Sequence, residues 1–465
     1  MTLAATPAEP LLPTSQRGRW LVVGVIALAL LLRCGVVVNE RSTYQPQTDA
    51  LHFDHLATSI AAGDGFGETI QPPMIGPTAL RAPGYPVVLA AVYVVFGDHS
   101  YTMALLLNAL LGAAVVAMVG LVGTQLLGRR VGFVAMALAA VHPGMVLIGT
   151  SLQLEPMITL LALGALAAAL EHRRAPRGLL WPLAAGVLLG AAVLTREQAF
   201  FFLPPIAWLL WTADGTRPPW RDRVALRPVA VTALAAFFVV LPWTIRNAVQ
   251  LDAFVPVTTS AGFGLVGTYN ETSEANTVHP GQWITPYEDP RTADVMLALD
   301  DPTEVRMDAE LRDLTVDIVR EHPTYPLRVA FWNTVRGLDL DGGDYTRFIA
   351  PYLPYPDWLL TPSIVFGWLV LALATVGAFT RRIRSVPIAI WVIPVTAFAF
   401  MIVFLPFSIR YRALLEPFLL FLAASIAVTL YDRSTGAPAE DPDPAPPTPG
   451  PRRRPPLVAA PPPSG

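Results

Sequence analysis

Several charged residues sit where apolar runs begin and end, the position at which membrane-associated chemistry is done. Asp49, Asp54 and Arg81 lie between the first and second long apolar runs, and Glu155 stands near the start of another. Arg196 and Arg246 close two more, and Arg410 and Arg412 come just before the last. A charge at the centre of a spanning helix costs at least about 2.5 kcal/mol by insertion scales, so each of these residues needs a reason. Arginine forks suit phosphate or pyrophosphate, which makes the set a candidate site for an anionic group. Taken singly, each arginine could instead snorkel to lipid headgroups or pair with Glu155 and the acids of the first loop. As a set they favour a site.

Asp49 is the sharpest feature. Read as a helix, Asp49, His52, Phe53 and Leu56 share one face at i, i+3, i+4 and i+7, while Asp54 points elsewhere. The run Ala61-Ala62-Gly63-Asp64-Gly65-Phe66-Gly67 ends that helix at glycine. Spacing alone leaves two roles for Asp49 equally open, helix N-cap or catalytic carboxylate. His52, His55, His99 and His142, with Asp49, are of types that bind divalent metals, but their spacing is no recognised ligand pattern.

The elements that must position these residues are membrane helices. Of 465 residues, 53% are apolar and only 14% charged, against about 25% charged in a soluble protein. Ten spans approach the length needed to cross about 30 Å of hydrocarbon: 19–38, 102–125, 131–149, 152–170, 178–194, 198–212, 228–245, 362–380, 386–404 and 411–430. The stretch 85–97 is apolar but short and opens with Pro-Gly-Tyr-Pro, which predicts an interfacial or re-entrant helix. The reading is an all-α polytopic membrane protein. The net charge of −3 argues against a nucleic-acid binder that relies on bulk positive potential. The single Cys34 says nothing about compartment.

All cationic side chains are arginine, and they alternate between the two sides. Arg17, Arg129, Arg130, the 173–177 and 217–227 groups and Arg381, Arg382 and Arg384 share one side, which the positive-inside rule makes cytoplasmic with both termini. The predicted organisation is a disordered N-terminus at 1–18, a transmembrane core at 19–245 including the outward loop 39–101, an outward region at 246–361, C-terminal spans at 362–430, and a disordered tail at 431–465. Residues 436–465 hold 12 prolines. Segment 303–339 has helical spacing broken at His322-Pro323, so one or two short helices are expected in the outward region.

The run Asp49-Ala50-Leu51-His52-Phe53-Asp54-His55-Leu56-Ala57, then Gly63-Asp64-Gly65-Phe66, then Arg81-Ala82-Pro83-Gly84-Tyr85-Pro86, resembles the first outer loop of bacterial GT-C membrane glycosyltransferases. It looks most like the group related to protein O-mannosyltransferases and the lipid A aminoarabinose transferase. Further similar segments follow in the family's order: His142-Pro143, Glu155, Leu194-Thr195-Arg196, Pro242-Trp243-Thr244-Ile245-Arg246-Asn247, and Arg410-Tyr411-Arg412 with Glu416-Pro417. Phe53 stands where the family has Tyr, Ala82 where it has Pro, and Leu154 where it has Ser.

The resemblance implies a GT-C fold of about 10 (10–13) transmembrane helices, with amphipathic helices in the first outer loop. It implies an enzyme of the bacterial plasma membrane, transferring a sugar from a polyprenyl-phosphate donor to a lipid, glycan or protein acceptor on the outer face, with inversion. One carboxylate then takes the acceptor's proton and cations hold the departing lipid phosphate. Asp49 matches the family's loop aspartate, with Asp54 the second choice. Arg81, Glu155, Arg196, Arg246, Arg410 and Arg412 are the candidate substrate contacts. No cofactor is certain, and a divalent metal stays open. The competing reading is a lipid or solute transporter, whose charges belong near the bilayer midplane rather than at the outer ends of spans.

Overall fold

The computed structural model describes residues 15–68, 76–174, 178–212, 223–299, 303–404 and 410–436. Most of the two ends expected to be disordered, 1–14 and 437–465, lies outside the described residues, as do Arg177, Arg217 and Arg221.

The chain is a bundle of helices. Its first half contains α1 (Gln16–Glu40), α2 (Asp49–Ala62), α3 (Gly84–Phe96), α4 (Tyr101–Leu127), α5 (Arg129–Val141), α6 (Pro143–Ile148), α7 (Glu155–Arg174), α8 (Leu180–Thr195), α9 (Leu203–Trp211) and α10 (Arg223–Leu251). The middle region holds α11 (Ala261–Val266), α12 (Glu271–Ala275), α13 (Pro290–Leu297), α14 (Glu304–Glu321), α15 (Tyr325–Gly337) and α16 (Asp344–Ile349). The last part holds α17 (Asp357–Gly377), α18 (Arg381–Arg384), α19 (Ile388–Phe404) and α20 (Glu416–Thr435). A two-residue antiparallel pair, β1 (Gly67–Glu68) and β2 (Gly76–Pro77), is the only sheet among the described residues.

Each of the ten apolar spans falls on helix. Five of the helices, at 16–40, 101–127, 226–251, 357–377 and 416–435, are long and apolar enough to cross a membrane. Three spans differ from a continuous rod. Span 131–149 breaks between α5 and α6, because Pro143 cannot continue the ladder and the His142 side chain caps the new helix, accepting from Gly144 N at 3.1 Å. Spans 198–212 and 411–430 each begin as a 3₁₀ turn, Glu197–Phe202 and Tyr411–Leu414. The apolar stretch at 85–97 forms the short α3, which packs on α2.

Close approach of the helices rests on small residues, as expected where lipid offers no hydrophobic drive for association. Gly186 and Gly190 of α8 form a Gly-x-x-x-Gly face against α10, and a Cβ at Gly190 would come within 2.8 Å of Val239. Gly120 and Gly123 let α4 approach α5 in the same way.

The two ends of the bundle carry different charges. At one end Asp432 near the end of α20 takes Arg130 at 2.9 Å and Arg382 at 2.6 Å. The other end collects the end of α1, α2, the starts of α4 and α7, the end of α8 and the start of α20. The 246–361 region is more structured than the one or two helices expected. Helices α12, α13 and α14 start at local caps, Asn270, Asp289 and Thr303, and the 18-residue α14 buries Met307, Leu311, Leu314 and Ile318 against Val266 and Met296. Helices of one or two turns carry too little periodic pattern to be read from sequence.

Candidate active site

Asp49 is the first residue of α2. The preceding Thr48 has φ +48°, makes no side-chain cap, and ties the turn to the Tyr352 carbonyl at 3.1 Å. Asp49 is therefore not the N-cap. Its carboxylate accepts from Arg81 Nη2 at 2.8 Å through one oxygen and from Arg410 Nη2 through the other. Gly63, with φ +87°, ends α2 in the left-handed region, as its sequence required.

Glu155 opens α7, where the positive end of the helix dipole favours a carboxylate. It pairs with Arg196 at 2.9 Å and with Arg410 Nε at 3.5 Å through the same oxygen. Arg196 stands at the end of α8 in extended conformation, which turns its side chain back toward the start of α7. Arg410 also donates to Gln153 Oε1 at 3.1 Å and to the Tyr411 hydroxyl at 2.8 Å. Both Arg196 and Arg410 lie against the Tyr411 ring, 4.4 and 4.7 Å from its centroid.

Five of the predicted residues thus converge: Asp49, Arg81, Glu155, Arg196 and Arg410. Three guanidiniums against two carboxylates leave one positive charge in excess. Access is graded, with Arg81 and Asp49 at the rim, 23% and 22% exposed, and Glu155 at the floor, 2% exposed. Burial pushes the Asp49 carboxyl up, but Arg81, Arg410 and then Arg196 outweigh it and hold Asp49 far below the usual carboxylate range.

Three predicted residues do not join this cluster. Asp54 faces the other side of α2, where it accepts from Tyr93 at 2.5 Å, His99 at 3.0 Å and Tyr101 at 3.1 Å, locking α2 to α3 and the start of α4. Its acceptor sites are filled within the fold, and 1% of the residue is exposed. Arg246 straps the first loop, donating to Thr78 O at 2.7 Å and Phe66 O at 2.6 Å while lying over Trp243 at 4.8 Å. Arg412 turns away from Arg410 into a sealed pocket. There it binds Asp339 at 2.9 Å and Glu416, which in turn faces His142 at 3.4 Å.

Sequence reasoning missed the residues that hold the five in place. Glu304, at the start of α14, accepts from Ala79 N at 2.8 Å, Thr78 Oγ1 at 2.5 Å and the Thr259 hydroxyl, and so fixes the loop that carries Arg81. The Thr303-Glu304 pair is a helix-start signal, but nothing in it points across to residue 81. Asn108 of α4, itself held by Tyr85 at 3.2 Å, binds the Ser151 and Gln153 carbonyls and shapes the segment that presents Gln153 and Glu155. The alternation Leu152-Gln153-Leu154-Glu155, with two polar residues at period 2, was the available signal. Among the described residues no three His, Cys, Asp or Glu side chains are grouped closely enough to hold a metal ion.

Residues 80–243 match the family described as Dolichyl-phosphate-mannose-protein mannosyltransferase. No curated protein matches the chain. Among solved structures, the Archaeoglobus fulgidus oligosaccharyltransferase, determined as a complex with Zn and sulfate, superposes with TM-score 0.53 at 15% identity over 90% of this chain. The same archaeal protein, AglB, in complex with an inhibitory peptide and a dolichol-phosphate, superposes with TM-score 0.53 at 14% identity over 91% of this chain. This chain spans about half the length of those proteins, 50% and 52%. The protein accordingly has the GT-C fold, and its 80–243 segment is similar to that mannosyltransferase family.

Proposed function

We propose that this protein is a membrane glycosyltransferase which moves a sugar from a polyprenyl-phosphate donor to a hydroxyl of a lipid, glycan or protein acceptor, at the outer face of the bacterial plasma membrane. The observation that carries this reading is the pairing of a partly exposed Asp49 with Arg81 and Arg410, beside Arg196 and Glu155, at one end of a membrane bundle. The family matched by residues 80–243 supports the sugar-transfer chemistry, and the dolichol-phosphate bound by AglB supports a lipid-phosphate leaving group.

Asp49 acts as general base. The acceptor oxygen attacks the anomeric carbon from the face opposite the phosphate and its proton passes to Asp49. The bond from that carbon to the phosphate oxygen breaks, and the lipid phosphate leaves as an anion held by Arg81, Arg196 and Arg410. Configuration inverts. No general acid is needed, because the phosphate is a stable leaving group.

The strongly lowered pKa of Asp49 sets the order of events. A carboxylate held by two guanidiniums is ionised but a weak base. A donor phosphate that draws Arg81 and Arg410 toward itself removes part of that hold and raises the basicity of Asp49. Donor binding thus activates the base. Asp54, Arg246 and Arg412 serve the architecture in this scheme, and Glu155 orients Arg196 and Arg410.

The test is transfer by purified protein from a panel of polyprenyl-phosphate sugars, run beside Asp49→Asn. Turnover of at least one donor, abolished by Asp49→Asn, supports the scheme. Failure of every donor, or full activity in Asp49→Asn, overturns it.

A further inference from the structure

Arg33 is wholly buried in α1, seven residues before the helix ends at Glu40, and so about 10 Å along the axis from that end. Among the described residues it has no carboxylate at ion-pair distance. Its Nη1 donates to the Ala29 carbonyl at 3.0 Å and its Nη2 to the Met145 carbonyl at 3.3 Å, while its Nε is buried and has no hydrogen-bond partner. Gly112 and Gly149 make room on that side, since a Cβ on either would lie 2.6 or 3.0 Å from Nε. A charge retained so deep in an apolar bundle calls for a use.

The use is on the other side of a small cavity. Arg33, Gly112, Met145, Glu155, Thr159 and Ala413 line a space of about 20 Å³, room for one water molecule. Glu155 gives one carboxylate oxygen to Arg196 and Arg410, and its second oxygen is buried without a partner. The cavity therefore has an unpaired donor on one wall and an unpaired acceptor on another. One water in this space would accept from Arg33 Nε and donate to Glu155 Oε2.

We propose that Arg33 is a positioning residue for Glu155, acting through a water held in this cavity, and that it keeps Glu155 oriented when Arg196 and Arg410 engage a phosphate. The consequence for the site rests on the function proposed above; the water-bridged pair itself does not. Arg196 and Arg410 are the direct counter-ions of Glu155, and both are the groups a phosphate would claim. Arg33 cannot reach a phosphate and so remains behind as the standing counter-charge. The other titratable groups near Glu155 are Tyr411 on the 3₁₀ turn, Tyr355, Tyr85 of α3, and Asp49 by way of Arg410. None of them supplies a positive charge.

The experiment is a double-variant cycle on the full-length protein in lipid nanodiscs, read by thermal unfolding: Arg33→Gln, Glu155→Gln and the pair, with Arg33→Lys as the charge-conserving control. The expected result is a double variant that loses less than the sum of its parts, and an Arg33→Lys variant closer to wild type than Arg33→Gln. With an active donor, Arg33→Gln also lowers kcat severalfold with the donor KM less affected, and Arg33→Lys restores it. Additive losses in the cycle, or an Arg33→Gln kcat that stays with wild type, overturn the proposal. The cycle needs no substrate, so a protein that turns over no donor defeats the functional reading and still leaves Arg33 decided. If Arg33→Gln fails to assemble, Arg33→Met with Glu155→Gln completes the cycle.

Discussion

Two clusters of buried charge flank Tyr411, and they differ in what they leave open. The cluster on the Arg410 side has three cations for two anions and reaches the surface through Asp49 and Arg81. On the Arg412 side, Arg412 is held between Asp339 and Glu416, with His142 behind Glu416, and all four side chains are at most 4% exposed. Gly367 gives Arg412 its space, since a Cβ there would stand 2.6 Å from its Nη2. The first arrangement has unused capacity for an anion and a way in; the second has neither. Buried arginine alone is no mark of chemistry, whereas excess charge with access is.

The largest expected effect separates the two by activity. Asp49→Asn should lower sugar transfer by about 10²–10⁴-fold, with a smaller loss in thermal unfolding than Arg412→Met, because Asp49 is partly solvated. Arg412→Met should do the reverse. It leaves Asp339 and Glu416 buried without their cation and should cost about 3–5 kcal/mol in stability, measured by denaturation in nanodiscs, while turnover per folded molecule falls far less than in Asp49→Asn. An Arg412→Met protein that is stable but inactive would break the comparison.

A smaller effect is expected at Glu304, which sets the loop of Arg81 from a distance. Glu304→Gln weakens charge-assisted bonds of about 1.5 kcal/mol each, so the KM for donor should rise about tenfold with kcat less affected, as steady-state kinetics would report. The smallest effect is on pH dependence and has opposite sign at Asp49 and at Asp339. Asp49 is held below its unfolded value, so its contribution to stability is present above about pH 3.9 and fades as pH falls. Burial raises Asp339 despite Arg412, so its contribution is full below about pH 3.9 and declines as pH rises through the folded value. Thermal unfolding across pH should show Asp49→Asn flattening the acid side and Asp339→Asn the other side; equal behaviour of the two variants counts against the distinction.

The spans were legible because lipid contact demands long apolar runs, and the five clustered residues were individually legible because charge at the end of such a run is costly. Which of them meet was not. Arg410 and Asp49 stand 361 positions apart, and no local pattern spans that distance. Arg410 and Arg412 share one motif yet diverge, because the chain at Tyr411–Leu414 is a 3₁₀ turn in which residues two apart point roughly 240° around the axis. Arg246 ends a span just as Arg196 does, but two carbonyls of the first loop capture it. Within 246–361 the spacing of 303–339 announced α14 and α15, broken at His322-Pro323, whereas α11, α12, α13 and α16 were hidden, being too short for periodicity.

The Glu304 clasp on the Arg81 loop also has a meaning in time. Thr78 leaves the ribosome 226 residues before its partner Glu304, an interval of roughly 10 to 45 s at bacterial rates of synthesis. Arg410 emerges later still. The N-terminal helices therefore enter the membrane carrying an aspartate and a loop that nothing yet holds, and the site closes only when nearly the last helix is made. A nascent or truncated chain lacks the assembled cluster, so completion of synthesis itself closes the site.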